Sequence, residues 1–139
     1  MKSLIFMLLC SLILASCERG FAPIDYGKDA CVHCKMTIVD NRYACELVTS
    51  KGRAYKFDDV SCMKRYIDEQ QVADGSQYFI EDYLNRSVNP LSADKSIYLQ
   101  HDFFESPMNG NYAAFASVAD AKPFIDSLKL SVLSWGDIK

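Results

Sequence analysis

One block of the chain occurs twice. Phe57-Asp58-Asp59-Val60-Ser61-Cys62-Met63-Lys64-Arg65-Tyr66-Ile67-Asp68 aligns with Phe115-Ala116-Ser117-Val118-Ala119-Asp120-Ala121-Lys122-Pro123-Phe124-Ile125-Asp126. Phe, Val, Lys, an aromatic, Ile and Asp recur at a single offset, and Gly52 and Gly110 match at the same offset. An internal repeat of this kind marks two related supersecondary units. The halves predicted from it are residues 30–84 and 88–139.

Each half reads as β-β-α-β. In the first, Met36 to Asp40 is a short apolar run rich in β-formers and reads as the leading strand, and Asn41-Arg42 makes a turn. Tyr43 to Thr49 and Arg53 to Phe57 are strands around a Ser50-Lys51-Gly52 turn. Asp58 or Asp59 caps a helix to about Gln71, with Val60, Met63 and Ile67 on one stripe. Gln77 to Tyr83 is a strand. In the second half Ser96 to Gln100 and Tyr112 to Phe115 are strands. A helix to about Leu128 follows, then a last strand over Lys129 to Trp135. Pro123 removes an interior hydrogen bond, so that helix is expected to kink or to start near Asp120. The fold class is α+β: in each half a helix packs on a short antiparallel sheet.

Upstream of the repeat lies an address. Lys2 precedes an apolar run from Leu4 to Leu14 broken only by Ser11. The run is shorter than the ~20 residues of a permanent span and has the length of a signal-peptide core. It ends in Leu14-Ala15-Ser16-Cys17, which resembles the bacterial lipobox. The resemblance implies a lipoprotein signal peptide over 1–16, lipid on Cys17, and a membrane anchor facing the periplasm or exterior. Residues 17–29 hold Gly, Pro and charges without periodicity and read as a lipidated tether.

With 139 residues, 50% of them hydrophobic, the chain can build one small core or two very small ones. A formal net charge of -3 with no basic run argues against nucleic acid as a partner. No Ser/His/Asp order, Gly-rich phosphate loop or pair of catalytic carboxylates stands out, and nothing argues for an enzyme.

The chemistry concentrates in Cys31-Val32-His33-Cys34-Lys35-Met36, with a distant Met in Ser106-Pro107-Met108-Asn109-Gly110. Two thiols three positions apart can reach one ion or each other. Thiolate, thioether and imidazole together suit Cu(I). A thioether cannot enter a disulfide, so it stays available outside the cytoplasm, where thiols risk oxidation. Other readings remain open. A Cys31–Cys34 disulfide would make a structural lipoprotein without metal. A thiol–disulfide redox module would use the same pair. A structural zinc site would need Cys45 and Cys62 as well. Haem attachment needs His directly after the second Cys, and here Lys35 follows. His33 and His101 are weaker ligand candidates, each as readily a surface residue. Met63, Cys45 and Cys62 read as core.

In order and spacing these motifs resemble the NosL family, the lipoprotein accessory factors of nitrous oxide reductase assembly. The shared features are the lipobox at Cys17, the C-x-x-C-x-M-x-I block of Cys31, Cys34, Met36 and Ile38, and the Phe57-led helix. A segment around Ile80 to Tyr83 and Arg86-Ser87-Val88 also fits, as do Met108, Gly110 and Ala113-Ala114-Phe115. Two positions depart: Asn109 separates Met108 from Gly110, and Lys35 stands where the family frequently has Gly. The resemblance implies a Cu(I) carrier built of two β-β-α-β halves. It would hand copper toward the copper-sulfide centre of nitrous oxide reductase, with an assembly transporter complex and its periplasmic subunit as partners. The expected ligands are Cys34 and Met36, with Cys31 as alternate thiolate and Met108 from the second half.

Overall fold

The computed structural model describes residues 20–85 and 89–139. The signal segment, Cys17 and Arg86-Ser87-Val88 lie outside these residues. The elements, in chain order, are β1 (Cys45–Val48), β2 (Ala54–Phe57), α1 (Val60–Gln70), β3 (Gln77–Ile80), β4 (Leu91–Ser92), β5 (Ile97–Gln100), β6 (Tyr112–Phe115) and α2 (Val118–Leu128), with short 3-10 turns between and after them. No helix among the described residues is long and apolar enough to cross a membrane.

Two antiparallel sheets form, one of four strands in the order β2-β1-β3-β4 and one of β5-β6. The period of two along each strand sorts its residues between faces. In the large sheet Cys45, Leu47, Phe57 and Ile80 face α1 and join Val60, Cys62 and Met63 in one core. Tyr66 of α1 lies against Tyr55 and Phe57, each at 5.3 Å between ring centroids.

The small sheet is covered on both faces. Tyr98, Tyr112 and Ala114 join the α1 core, while Leu99, Ala113 and Phe115 pack with Ala121, Phe124 and Ile125 of α2. Every residue of β6 is therefore buried, as expected of a strand with no solvent face.

Several expectations are corrected. The stretch Met36 to Asp40 is loop with a single bridge, Ala30 to Thr37. The stretch Lys129 to Trp135 likewise holds only a bridge, Leu133 to Tyr98, and then a 3-10 turn over Trp135–Asp137. β4 follows residue 88 in sequence yet pairs with β3, so the edge of the large sheet comes from the second half. The second helix runs unbroken from Val118, capped by Ser117, with Pro123 inside it.

Residues 21–29, expected within a tether, pack against the large sheet. Phe21 stacks edge-on against Phe79 at 5.8 Å. Ala22 N–H donates to Glu46 Oε1 at 2.8 Å, and Lys56 Nζ donates to Pro23 O at 2.8 Å and to Asp29 Oδ2 at 2.6 Å. Phe79, Glu46 and Lys56 are cross-strand neighbours on the sheet face opposite α1. The segment from Phe21 to Asp29 is thus a strap laid across β3, β1 and β2, which ends where the thiol loop begins.

Candidate metal centre

Backbone bonds shape the thiol loop. Cys31 N–H donates to Met36 O at 2.8 Å and Lys35 N–H to Cys31 O at 2.9 Å, while Val32 N–H fastens the loop to Lys56 O on β2. Lys35 has φ 67°, the left-handed region that costs a side chain about 1–2 kcal/mol and glycine almost nothing.

β2 ends at Phe57, and the two aspartates after it divide their tasks. Asp59 is the helix cap: its Oδ1 accepts from Cys62 N–H at 3.0 Å. Asp58 turns to the thiol loop, where its Oδ2 accepts from the Cys34 thiol at 3.3 Å. Cys62, in the first turn of α1, is buried as expected of a core residue, but it also completes a cluster. One donor atom from each of Cys31, Cys34, Asp58 and Cys62 lies within 4.8 Å of the others. All four cysteines among the described residues are free thiols. Cys45 is not in the cluster; it is fully buried in β1, and burial drives its thiol far from ionisation.

The three sulfurs differ electrically. The Cys31 thiol is lowered to about 6, first by the hydrogen bond from Cys62 and then by backbone N–H groups of Cys34, Asp58 and His33, against the effect of burial. Cys62, as the donor to Cys31, is pushed upward, and burial adds to this. Burial also raises Cys34, to about 11. Of the three thiols, Cys31 is therefore the one most readily ionised. Asp58 Oδ1 and His33 Nδ1 are buried without hydrogen-bond partners. An unpaired buried polar atom costs about 1–3 kcal/mol. Three soft sulfurs and one carboxylate with an unused oxygen make a donor set that fits a thiophilic cation.

The other expected residues have contacts of their own. His33 lies between the two loop thiols, with Nε2 at 3.3 Å from Glu69 Oε1. Met36 sends its backbone N–H to Cys34, and its side chain is 56% exposed. Met108 is half-buried; its N–H donates to Asp59 Oδ2 at 3.0 Å, and its side chain lines a cleft with Ser61 and Arg65. His101 caps a 3-10 turn, its Nδ1 accepting from Phe103 N–H. Asn109 has φ 57°, a conformation that Asn tolerates better than most residues, so the insertion between Met108 and Gly110 is absorbed in a turn.

Burial raises the Asp59 carboxyl, while its bonds from Cys62, Met108 and Ser106 oppose that shift. Asp58 and Cys62 lack any spacing that marks them as ligands. The one signal was their position: an acid and a thiol at the strand–helix junction of a chain already carrying C-x-x-C.

No curated protein matches the chain in sequence. Its fold is similar to the crystal structure of the copper chaperone NosL from Shewanella denitrificans, with a TM-score of 0.71 and 16% identity over 87% of this chain and 96% of that one. At that identity the likeness speaks for the fold. The NosL family profile matches residues 24–139, a span that holds every member of the thiol cluster, and the chain belongs to the NosL family.

Proposed function

We propose that the protein is a Cu(I) metallochaperone of the cell envelope, anchored by lipid on Cys17. It carries copper toward the copper-sulfide centre of nitrous oxide reductase, with the assembly transporter complex and its periplasmic subunit as partners. The observation that carries this reading is the convergence of Cys31, Cys34 and Cys62 with Asp58. Membership of the family and the fold shared with a protein named as a copper chaperone agree with it. A carrier works by ligand exchange, so one donor must be reachable. Cys31 and Cys62 are buried, whereas Cys34 is partly exposed beside the exposed Met36. An acceptor's sulfur would attack on that side, where Met36 supplies a thioether.

A second reading is favoured by the donor set itself. Three cysteines and one carboxylate are also a four-donor shell for Zn(II). Anaerobic titration with Cu(I) against a chromophoric chelator, repeated with Zn(II), separates the two. The copper reading expects one equivalent of Cu(I), held against excess Zn(II). Cys31→Ser, Cys34→Ser and Cys62→Ser should each weaken Cu(I) by about tenfold or more, since even residues behind the ligands commonly cost that much. No stoichiometric Cu(I) uptake overturns the copper reading.

A further inference from the structure

We propose that Asp59 is a positioning residue that couples the thiol site to the Met108 loop, so that copper loading in the first half is felt in the second. The proposal rests on the copper reading above. Its basis is one carboxylate with two separate duties. Oδ1 accepts from Cys62 N–H and so sets the first turn of α1, which carries a cluster thiol. Oδ2 accepts from Ser106 Oγ–H and from Met108 N–H, each at 3.0 Å. These bonds cross 47 and 49 residues of chain and join the two halves.

The loop that Oδ2 receives is preformed. Ser106 N–H donates to Asn111 Oδ1, Asn111 N–H donates back to Ser106 Oγ at 2.8 Å, and Asn109 N–H closes on Ser106 O. A loop so tied moves as one piece. It also sits hard against α1, because a Cβ on Gly110 would fall 1.9 Å from Ser61 Oγ. A shift of the first turn of α1 on metal binding therefore reaches Met108 through Asp59 rather than being lost in slack. Asp58, one residue earlier, is a member of the cluster, so the same stretch of backbone serves both ends of the link.

The test uses the full mature chain, labelled for amide NMR and titrated anaerobically with Cu(I). In the wild type the signals of residues 108–111 should shift together with those of residues 31–36. Asp59→Asn keeps an oxygen for Cys62 N–H but replaces Oδ2 with an amide group that cannot accept from Ser106 and Met108. In it one equivalent of Cu(I) should still bind, the response of residues 108–111 should vanish, and affinity should fall roughly tenfold. Ser106→Ala, which leaves the helix cap intact, should weaken the same response, and it decides the matter where Asp59→Asn does not fold. Uptake of Cu(I) with no response in residues 108–111, or an undiminished response in the variants, overturns this proposal alone. No uptake by the wild type overturns the copper reading and the proposal with it.

Discussion

The thiol of Cys34 donates to Asp58 Oδ2 at 3.3 Å, while Oδ1 of the same carboxylate is buried with no partner. A cation entering the cluster would replace the thiol proton and give that oxygen the positive neighbour it lacks. Asp58 is thus the one hard donor in a soft site, and its worth depends on which ion arrives.

Asp58→Asn should therefore discriminate between metals. It should weaken Zn(II) by about tenfold or more and Cu(I) by clearly less, because the sulfurs carry most of the Cu(I) bonding. Parallel chelator competitions with the two ions check this. Equal losses for both would mean that the carboxylate acts on the fold of the site and not on the ion.

Met36 gives a clean test of the thioether, since its side chain is mostly in solvent. Met36→Ala should leave the denaturation midpoint of the metal-free protein nearly unchanged, within about 0.5 kcal/mol. It should still weaken Cu(I) by roughly tenfold. Unchanged affinity would remove Met36 from the ligand set.

Gly110→Ala should destabilise the protein by about 1–3 kcal/mol, because the new methyl group meets Ser61 Oγ at 1.9 Å and Ser61 Cβ at 3.1 Å. Ser61→Gly in the same chain should recover a large part of the loss. Urea unfolding of the two single variants and the double variant measures the coupling. Additive losses would show that the close approach is not what makes a side chain costly there.

Glu46 makes stability depend on pH. Burial raises its carboxyl, and Asp29 adds to the rise, while the Ala22 N–H and Lys56 oppose it. A carboxyl raised in the folded state holds its proton there after the unfolded chain has lost its own. Stability is then greatest at low pH and falls as pH climbs from the unfolded value of about 4.3 through the raised folded value. Glu46→Gln should flatten that part of the curve, as followed by urea midpoints between pH 4 and 7.5. A Gln variant with the wild-type slope would assign the dependence to another group.

Much of this architecture was legible in residues. The repeat located both helices, and the first was the more legible because its apolar stripe and capping acid are local features, carried by Val60 and Met63 after Asp59; the Ser117 cap that starts the second at Val118 was not read. The strands flanking Lys51-Gly52 followed from alternation. The stretches 36–40 and 129–135 misled because a strand needs a partner at successive positions: Met36 and Ile38 bond to the loop residues Gly27, Asp29 and Cys31, and in the other stretch Leu133 alone pairs, with Tyr98 of β5. The loop thiols were legible through their spacing. Cys62 and Asp58 were not, because only the packing of α1 against the end of β2 brings them to Cys31.

The strap gives the domain a direction under load. A pull on the chain upstream of Phe21 meets the Phe79 ring first, then the Ala22–Glu46 bond, then the Lys56 ammonium that grips Pro23 and Asp29. The contacts lie in series across three strands, on the side of the sheet away from α1. Tension applied there would load these contacts before it reached Cys31.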